Sequence, residues 1–478
     1  MMNNNDFNLE EKDIYKLFNG IKIEESEFND MNEEVDQIQK ERIKKNLNKR
    51  VKGKKGSKAL KYGSMAAAIS VACFIGIKAA PPTFAKNIPV LNSIIQMLKN
   101  EDGDHGEYEK YSQIVDKSVT DKGVTLTINE ILADESKLVI SYTIKSDKKI
   151  KDLEVYPLQG FLKINGKNFS GSGVSRGKYI DDYTYVVSEE ADIDSFKAPE
   201  KFNVDLEVSE IANIKGKWNF DFSVSKEEIA KSSTIIKPNK KVSFPDSNIT
   251  IDKVVLSPIG TYILINGEFK DKVKNRNIPA GEMFEYNYWV AYDDKGVELI
   301  PNGIGAGAAD SSKFSSKMAY TKVKDIPKHL TILPLKWTPT GGGGVDENGK
   351  EVHYSIEESK KPKEVSKIID GKYPIEISQG KMGKLIIKEI KTEKDKTIVK
   401  FTAEGKAPYT QGTSLSIKDA FGKEVKIKDS DIRKNEEKPN EFTMEFESLD
   451  PNKQYRVCTT DFANVEVGED LKFNIEIK

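Results

Sequence analysis

Apolar and polar positions change period partway along this chain. Before residue 110 they recur about every 3.6 residues, as on one face of a helix; beyond it they alternate with a period of two, as along a half-buried strand. The alternating part also repeats. Val124 to Ile131 (VTLTINEI) is followed by Lys137 to Ile144 (KLVISYTI). The same pair of runs returns as Asn248 to Val255 with Thr261 to Phe269, and again as Lys384 to Ile390 with Thr397 to Thr402. Aligned on Ile128, Ile251 and Ile387, the copies lie 123 and 136 residues apart. Each pair predicts a two-stranded unit at the front of a domain.

Turn chemistry fills the spaces. Asn165-Gly166, Asn348-Gly349 and Phe421-Gly422-Lys423 stand between alternating runs, where hairpins need a positive φ. Strand-like runs close the units at Trp218 to Val224, Leu330 to Trp337 and Leu471 to Ile477. Short strands, frequent turns and no helical spacers predict a mainly β exterior of tandem Ig-like β-sandwiches. We place them at residues 111–235, 236–367 and 368–478, a size each able to bury its own core. Lys237 to Lys241 and the lysine-rich Lys360 to Lys367 read as linkers, and Gly341 to Gly344 as a flexible loop.

The opening segment is built differently. In residues 1–58, Asn8 and Glu11 form a capping-box pattern ahead of Ile14, Leu17, Phe18 and Ile21, which share one helical face. A second, less regular stripe carries Met31, Val35, Ile38, Ile43, Leu47 and Val51. Two such helices bury too little to stand alone, so they pair weakly or dock on a partner. A loosely ordered tail is the alternative, given the charge.

An uncharged run from Tyr62 to Ile77 follows, with Ile69, Val71, Phe74 and Ile75 as its apolar weight. Its helix would rise roughly 24 Å, short of a bilayer core unless Lys61 and Lys78 reach toward the headgroups. Residues 59–80 are therefore expected to be a transmembrane helix, stopped by Pro81-Pro82. Residues 40–61 hold eleven basic side chains against Glu41 alone, while residues 1–36 hold eleven acidic and three basic ones. The basic flank favours a cytoplasmic N-terminus and meets anionic lipid. The expected location is the cell membrane, single-pass, with the β domains extracellular. Residues 81–110 then form a juxtamembrane stretch in which Leu91, Ile94, Ile95 and Leu98 share a face. That face lies either in the outer lipid interface or under the first β domain.

Composition excludes more than it suggests. With 75 Lys and Arg against 76 Asp and Glu, nothing in the overall charge calls for nucleic acid. Cys73 and Cys458 are too far apart in kind and place to pair. His105, His329 and His353 have no metal-ligand spacing with a cysteine. Asp102 to Glu107 resembles a calcium loop but puts glycine where a ligand belongs, so an acidic joint is the better reading. Phe284, Tyr286, Tyr288 and Tyr292 alternate onto one strand face with Trp289 opposite, a row that reads as core. No cofactor and no catalytic role are expected.

The order of parts resembles a known group. An acidic start containing Asp13 to Phe18 leads to Arg42 to Leu47, a single span ending Pro81 to Ala85, then Asn87 to Val90 and a β-rich exterior. This is similar to membrane proteins of Gram-positive bacteria built on domain of unknown function 4179, often followed by an Ig-like partner domain of unknown function, here about residues 235–365. Members are often encoded beside extracytoplasmic-function sigma factors and are regarded as anti-sigma factors. The resemblance implies signal transduction and transcription regulation: the faces Ile14/Leu17/Phe18/Ile21 and Val35/Ile38/Ile43/Leu47 would hold a sigma factor, and the exterior would meet an envelope ligand or protease. The zinc cluster of other anti-sigma domains is absent, since residues 1–60 contain neither histidine nor cysteine. The alternative is a membrane-tethered surface binding or adhesion module.

Overall fold

A strand that buries one face needs a partner for its backbone before anything else, and the repeated runs supply it locally. The computed structural model describes residues 93–478 apart from 102–104, 151–152, 154–156, 170–172, 195–196, 271–283, 309–311, 339–340, 346–350, 356–357, 359–360, 429–431 and 436. Within it the chain is mainly β, arranged as three modules.

The first module begins with β1 (Gln113–Asp121), β2 (Val124–Ala133) and β3 (Lys137–Ser146), then β4 (Leu158–Ile164), β5 (Lys167–Asn168), β6 (Gly173–Asp181), β7 (Thr184–Asp192), β8 (Lys201–Ile211) and β9 (Ile214–Ser225). One sheet runs β1-β2-β3-β7-β6 and the other β5-β4-β8-β9. Leu126 and Ile128 of the first sheet meet Val204, Trp218 and Phe220 of the second in one core. Each side chain so buried contributes on the order of 1.5–3 kcal/mol. Trp218 is fully enclosed because its indole N–H also finds an acceptor, the Val124 carbonyl at 2.9 Å. Asn165 and Gly166 both adopt positive φ between β4 and β5, as the hairpin expectation requires.

The second module uses β10 (Thr234–Ile236), β11 (Lys240–Ser243), β12 (Ser247–Ser257), β13 (Gly260–Phe269), β14 (Tyr288–Tyr292), β15 (Pro301–Ala308), β16 (Lys313–Tyr320) and β17 (His329–Trp337). After a separate hairpin, β18 (Gly341–Val345) with β19 (Glu351–Ser355), come β20 (Glu364–Ile368), β21 (Ile375–Ser378), β22 (Gly383–Thr392), β23 (Thr397–Gly405), β24 (Ser416–Asp419), β25 (Arg433–Lys434), β26 (Glu441–Phe446), β27 (Tyr455–Thr460), β28 (Val465–Val467) and β29 (Phe473–Glu476). The first-sheet order recurs as β10-β12-β13-β16-β15 and as β21-β22-β23-β26-β25.

All three repeated pairs of runs are antiparallel hairpins, and all three carry the same irregularity. The register slips between Ile128 and Glu130, between Ile251 and Lys253, and between Ile387 and Glu389. Asn129, Asp252 and Lys388 are thus single-residue bulges at equivalent points. A bulge bends the strand and re-aims the next side chain. In the first module the side chain re-aimed is Glu130.

The second sheets differ in how they are completed. In module one, β8 continues by its own turn into β9. In module two the strand beside β17 comes from the end of the chain: β29 pairs along His329 to Ile332 and β28 along Leu335 to Trp337. In module three the strand beside β27 is β20, which precedes the module. The two modules exchange their final strands across residue 368. Leu471 to Ile477 was expected to close the third unit; its strand closes the second.

Other expectations are corrected. Gly341 to Gly344 lie in β18, because cross-strand backbone bonds need no side chain. Glu364 to Lys367 of the expected second linker form β20. Lys240 and Lys241 of the first open β11, an edge strand interrupted at Pro238, which has no N–H to give. The aromatic row does not alternate as predicted, since residues 284–287 turn before β14 begins. Phe284, Tyr286 and Trp289 therefore share the module-two core, whereas Tyr288 and Tyr292 face module three.

Ile475, fully buried in the core of module two, provides a direct test of the exchange. Ile475→Asp should lower stability by about 3–5 kcal/mol. Urea unfolding should show this loss in the fluorescence of Trp289, which packs edge-on against Phe473. A Trp289 transition unchanged by the substitution would contradict the pairing.

Candidate functional site: the seat of the first helix

The first element described is α1 (Ile94–Glu101). Ser93 caps it by accepting the Gln96 amide at 3.1 Å. A second cap arrives from the sheet: Glu130 Oε1 accepts both the Ser93 hydroxyl, at 2.8 Å, and the Ile95 amide, at 3.0 Å. The bulge at Asn129 is what turns this carboxylate toward the helix. Of the predicted amphipathic face, Ile94, Ile95 and Leu98 are buried, so the packing alternative holds over the lipid one for these residues. Ile94 and Leu98 lie on Val186, while Ile95 enters a cluster with Tyr108, Leu132, Val139, Ile229 and Ile259. Ile259 belongs to module two.

The seat thus sits where the first two modules meet. Tyr108, fully buried, donates its hydroxyl to the Ile259 carbonyl at 3.1 Å, and the Glu107 amide bonds the Pro258 carbonyl at 3.0 Å. Lys99 from α1 and Lys137 from β3 both pair with Glu190, and both ammoniums stand over the Tyr108 ring. Across the joint, Lys317 of module two reaches Asp192 and, at 2.9 Å, Asp194 of module one; it also donates to Ser136. Glu135 receives Lys226 at 3.0 Å and Lys253 at 3.2 Å.

Electrostatics explain why these groups stay charged. Burial alone would push the Lys317 ammonium down, yet two carboxylates outweigh it and hold the group above its usual value. Asp194 shares that one ammonium with Asp192, so burial leaves its carboxyl raised. Burial likewise acts to raise Glu135, but Lys226 and Lys253 together keep it below the ordinary range. Among the described residues no group of three or more His, Cys, Asp or Glu is placed to hold a metal ion.

Two family models match the chain. Residues 55–146 match the family described as Domain of unknown function (DUF4179), and residues 233–377 match the Family of unknown function (DUF5643). The order is that of the resemblance drawn from the sequence. The DUF4179 match runs from the basic flank to the last residue of β3, taking in α1, the bulge and Glu130. The DUF5643 match covers module two except β28 and β29, and reaches β21. No curated protein matches. Among solved structures, a conserved domain protein from Bacillus anthracis is similar at 20% identity over 55% of this chain and 93% of that one, with a TM-score of 0.42. Bovine butyrophilin is similar at 9% identity over 48% and 94%, with a TM-score of 0.12.

The sequence-predicted partner face, Ile14, Leu17, Phe18, Ile21, Val35, Ile38, Ile43 and Leu47, lies outside the described residues. So does the predicted span with Tyr62, Ile69, Val71, Phe74, Ile75 and Ile77. Among the described residues no helix is long and apolar enough to cross a membrane. Sequence reasoning missed the DUF4179 segment's Glu130 and the joint's lysines, although one signal was present. Glu130 is a charged residue set inside an apolar strand run, where charge is rare unless paired.

Two substitutions test the seat. Glu130→Ala removes the acceptor for three buried donors, the Ser93 and Ser141 hydroxyls and the Ile95 amide, and should speed amide exchange at Ile95 about tenfold, the equivalent of 1–2 kcal/mol. Lys317→Met strands two carboxylates and should cost about 3 kcal/mol in urea unfolding, part of which Asp194→Asn restores in the double variant.

Proposed function

We propose that the chain is a single-pass membrane regulator that works as an anti-sigma factor. Its cytoplasmic helices bind an extracytoplasmic-function sigma factor, and its Ig-like exterior modules receive an envelope signal without catalysing a reaction. The N-terminus is cytoplasmic, the basic block at residues 40–61 lies against anionic lipid, and the β modules are outside.

One observation carries the reading. The first described element, α1, is held in the joint between modules one and two by a sheet carboxylate, a buried tyrosine and paired lysines. A tether would need no such seat. A helix fixed there couples any displacement of the two modules to the segment that leads to the membrane. The DUF4179 match supports this, since it spans the expected anchor and the seat as one stretch.

The test is co-purification of the full chain with the extracytoplasmic-function sigma factors of its own organism. The wild type should retain one of them, and the variant carrying Leu17→Asp and Phe18→Asp should lose it while expression of that factor's promoters rises severalfold. No retention by the wild type, or retention unaffected by the double substitution, would remove this reading. Deleting residues 1–58 without change in any transcript would favour the surface-module alternative.

A further inference from the structure

We propose that the contact between the second and third modules is a proton-operated latch whose moving part is the Glu298 carboxyl. As a property of the joint this stands alone; as the input to a membrane regulator it rests on the function proposed above.

The receiving element is α2 (Pro408–Thr413). This short helix lacks a side-chain cap of its own, and Ala407 before it is held in a left-handed conformation, φ 52°. Its exposed donors are met by the other module instead. Tyr292 and Glu298 sit side by side as an antiparallel bridge across the tight turn Asp293 to Val297. Tyr292 Oη accepts the Ala407 amide at 3.1 Å, and Glu298 Oε2 accepts the Tyr409 amide at 2.7 Å. Tyr288 Oη meets the Thr410 hydroxyl at 3.1 Å. A two-residue bridge on one module thus grips the first turn of a helix on the next.

Glu298 is 5% exposed, and its second oxygen, Oε1, has no hydrogen-bond partner. The groups facing it are Tyr288, Tyr292 and Tyr320 from its own module and Lys434 from module three, with Asp293 beside Lys434. Lys434 donates to the Glu298 backbone carbonyl at 2.5 Å rather than to the carboxylate. Burial therefore dominates and pushes the carboxyl up to about 7, with the Tyr409 and Thr410 amides and Lys434 offsetting only part.

The direction follows. Below its ordinary value the carboxyl is protonated whether the joint is closed or open, and closure buries no charge. Between there and about 7 the closed joint keeps a proton that the open one releases, so closure weakens as pH rises. Above 7 a carboxylate with a vacant oxygen sits among tyrosine rings, and opening relieves it. With an open value of about 4.5 and a closed value of about 7, the open fraction rises roughly tenfold from pH 6 to pH 8. The exchanged strands β20, β28 and β29 are held by backbone pairing with β27 and β17, so they keep the modules attached while α2 is released.

Amide exchange at Ala407, Tyr409 and Thr410 in the full chain, corrected for intrinsic rates, reads the latch directly. Protection should fall about tenfold from pH 6 to pH 8 in the wild type and stay level in Glu298→Gln, which keeps shape and acceptor but has no proton to lose. Lys434→Met should move the fall to higher pH, since the ammonium's attraction for the carboxylate is gone. Equal protection at both pH values in the wild type, or an undiminished fall in Glu298→Gln, would overturn the proposal. The readout does not involve residues 1–58, so failure of sigma-factor binding and failure of the latch are separate results.

Discussion

A charge removed from water must be met by an opposite charge or by aligned donors, and the joints of this molecule are organised by that requirement. The module interiors are mainly apolar, each with a core closed between two sheets, and those of modules two and three are completed by strands exchanged across residue 368. Between modules the burial is mixed with ions: Lys317 against two aspartates, Glu135 between two lysines, Glu298 against a helix turn. Apolar cores give stiffness that varies little with conditions. Buried ions give contacts whose strength depends on a single partner or a single proton. The molecule therefore keeps its rigid parts inside the modules and its adjustable parts between them.

The same division governs what could be read in the sequence. The three hairpins were legible because alternation over eight residues has few other meanings, and the same pair of runs recurs when the copies are compared strand by strand. The amphipathic face of Ile94, Ile95 and Leu98 was legible too, and only its partner was open. Strand exchange was not. β20 and β29 have patterns that suit either module, and pairing is chosen by which edge stands free in space. The aromatic row was rightly read as core for Phe284, Tyr286 and Trp289, but its alternation failed because a turn at residues 284–287, with no glycine or proline inside it, interrupts the strand. The glycine run failed because composition was read as flexibility, while a ladder asks only for backbone.

The candidate site was the least visible part. Glu130 looks like one more acid in a chain rich in them, and its importance comes from a bulge one residue earlier. Equivalent bulges in the other modules present Lys253 to Glu135 of module one and Glu389 to a surface lysine. One local irregularity thus serves a helix seat, an intermodule ion pair and an ordinary surface contact. Such divergence of use at a fixed backbone device leaves no trace in a single sequence.

The exchanged strands also place a condition on how the molecule is made. Translation releases most of module two long before the residues that complete it, so its second sheet must wait, with an apolar seam open, until β28 and β29 have been made. A chain cut before β28 does not simply lack a strand; it carries an unclosed module in its middle. Closure of module two therefore reports that synthesis has passed β29.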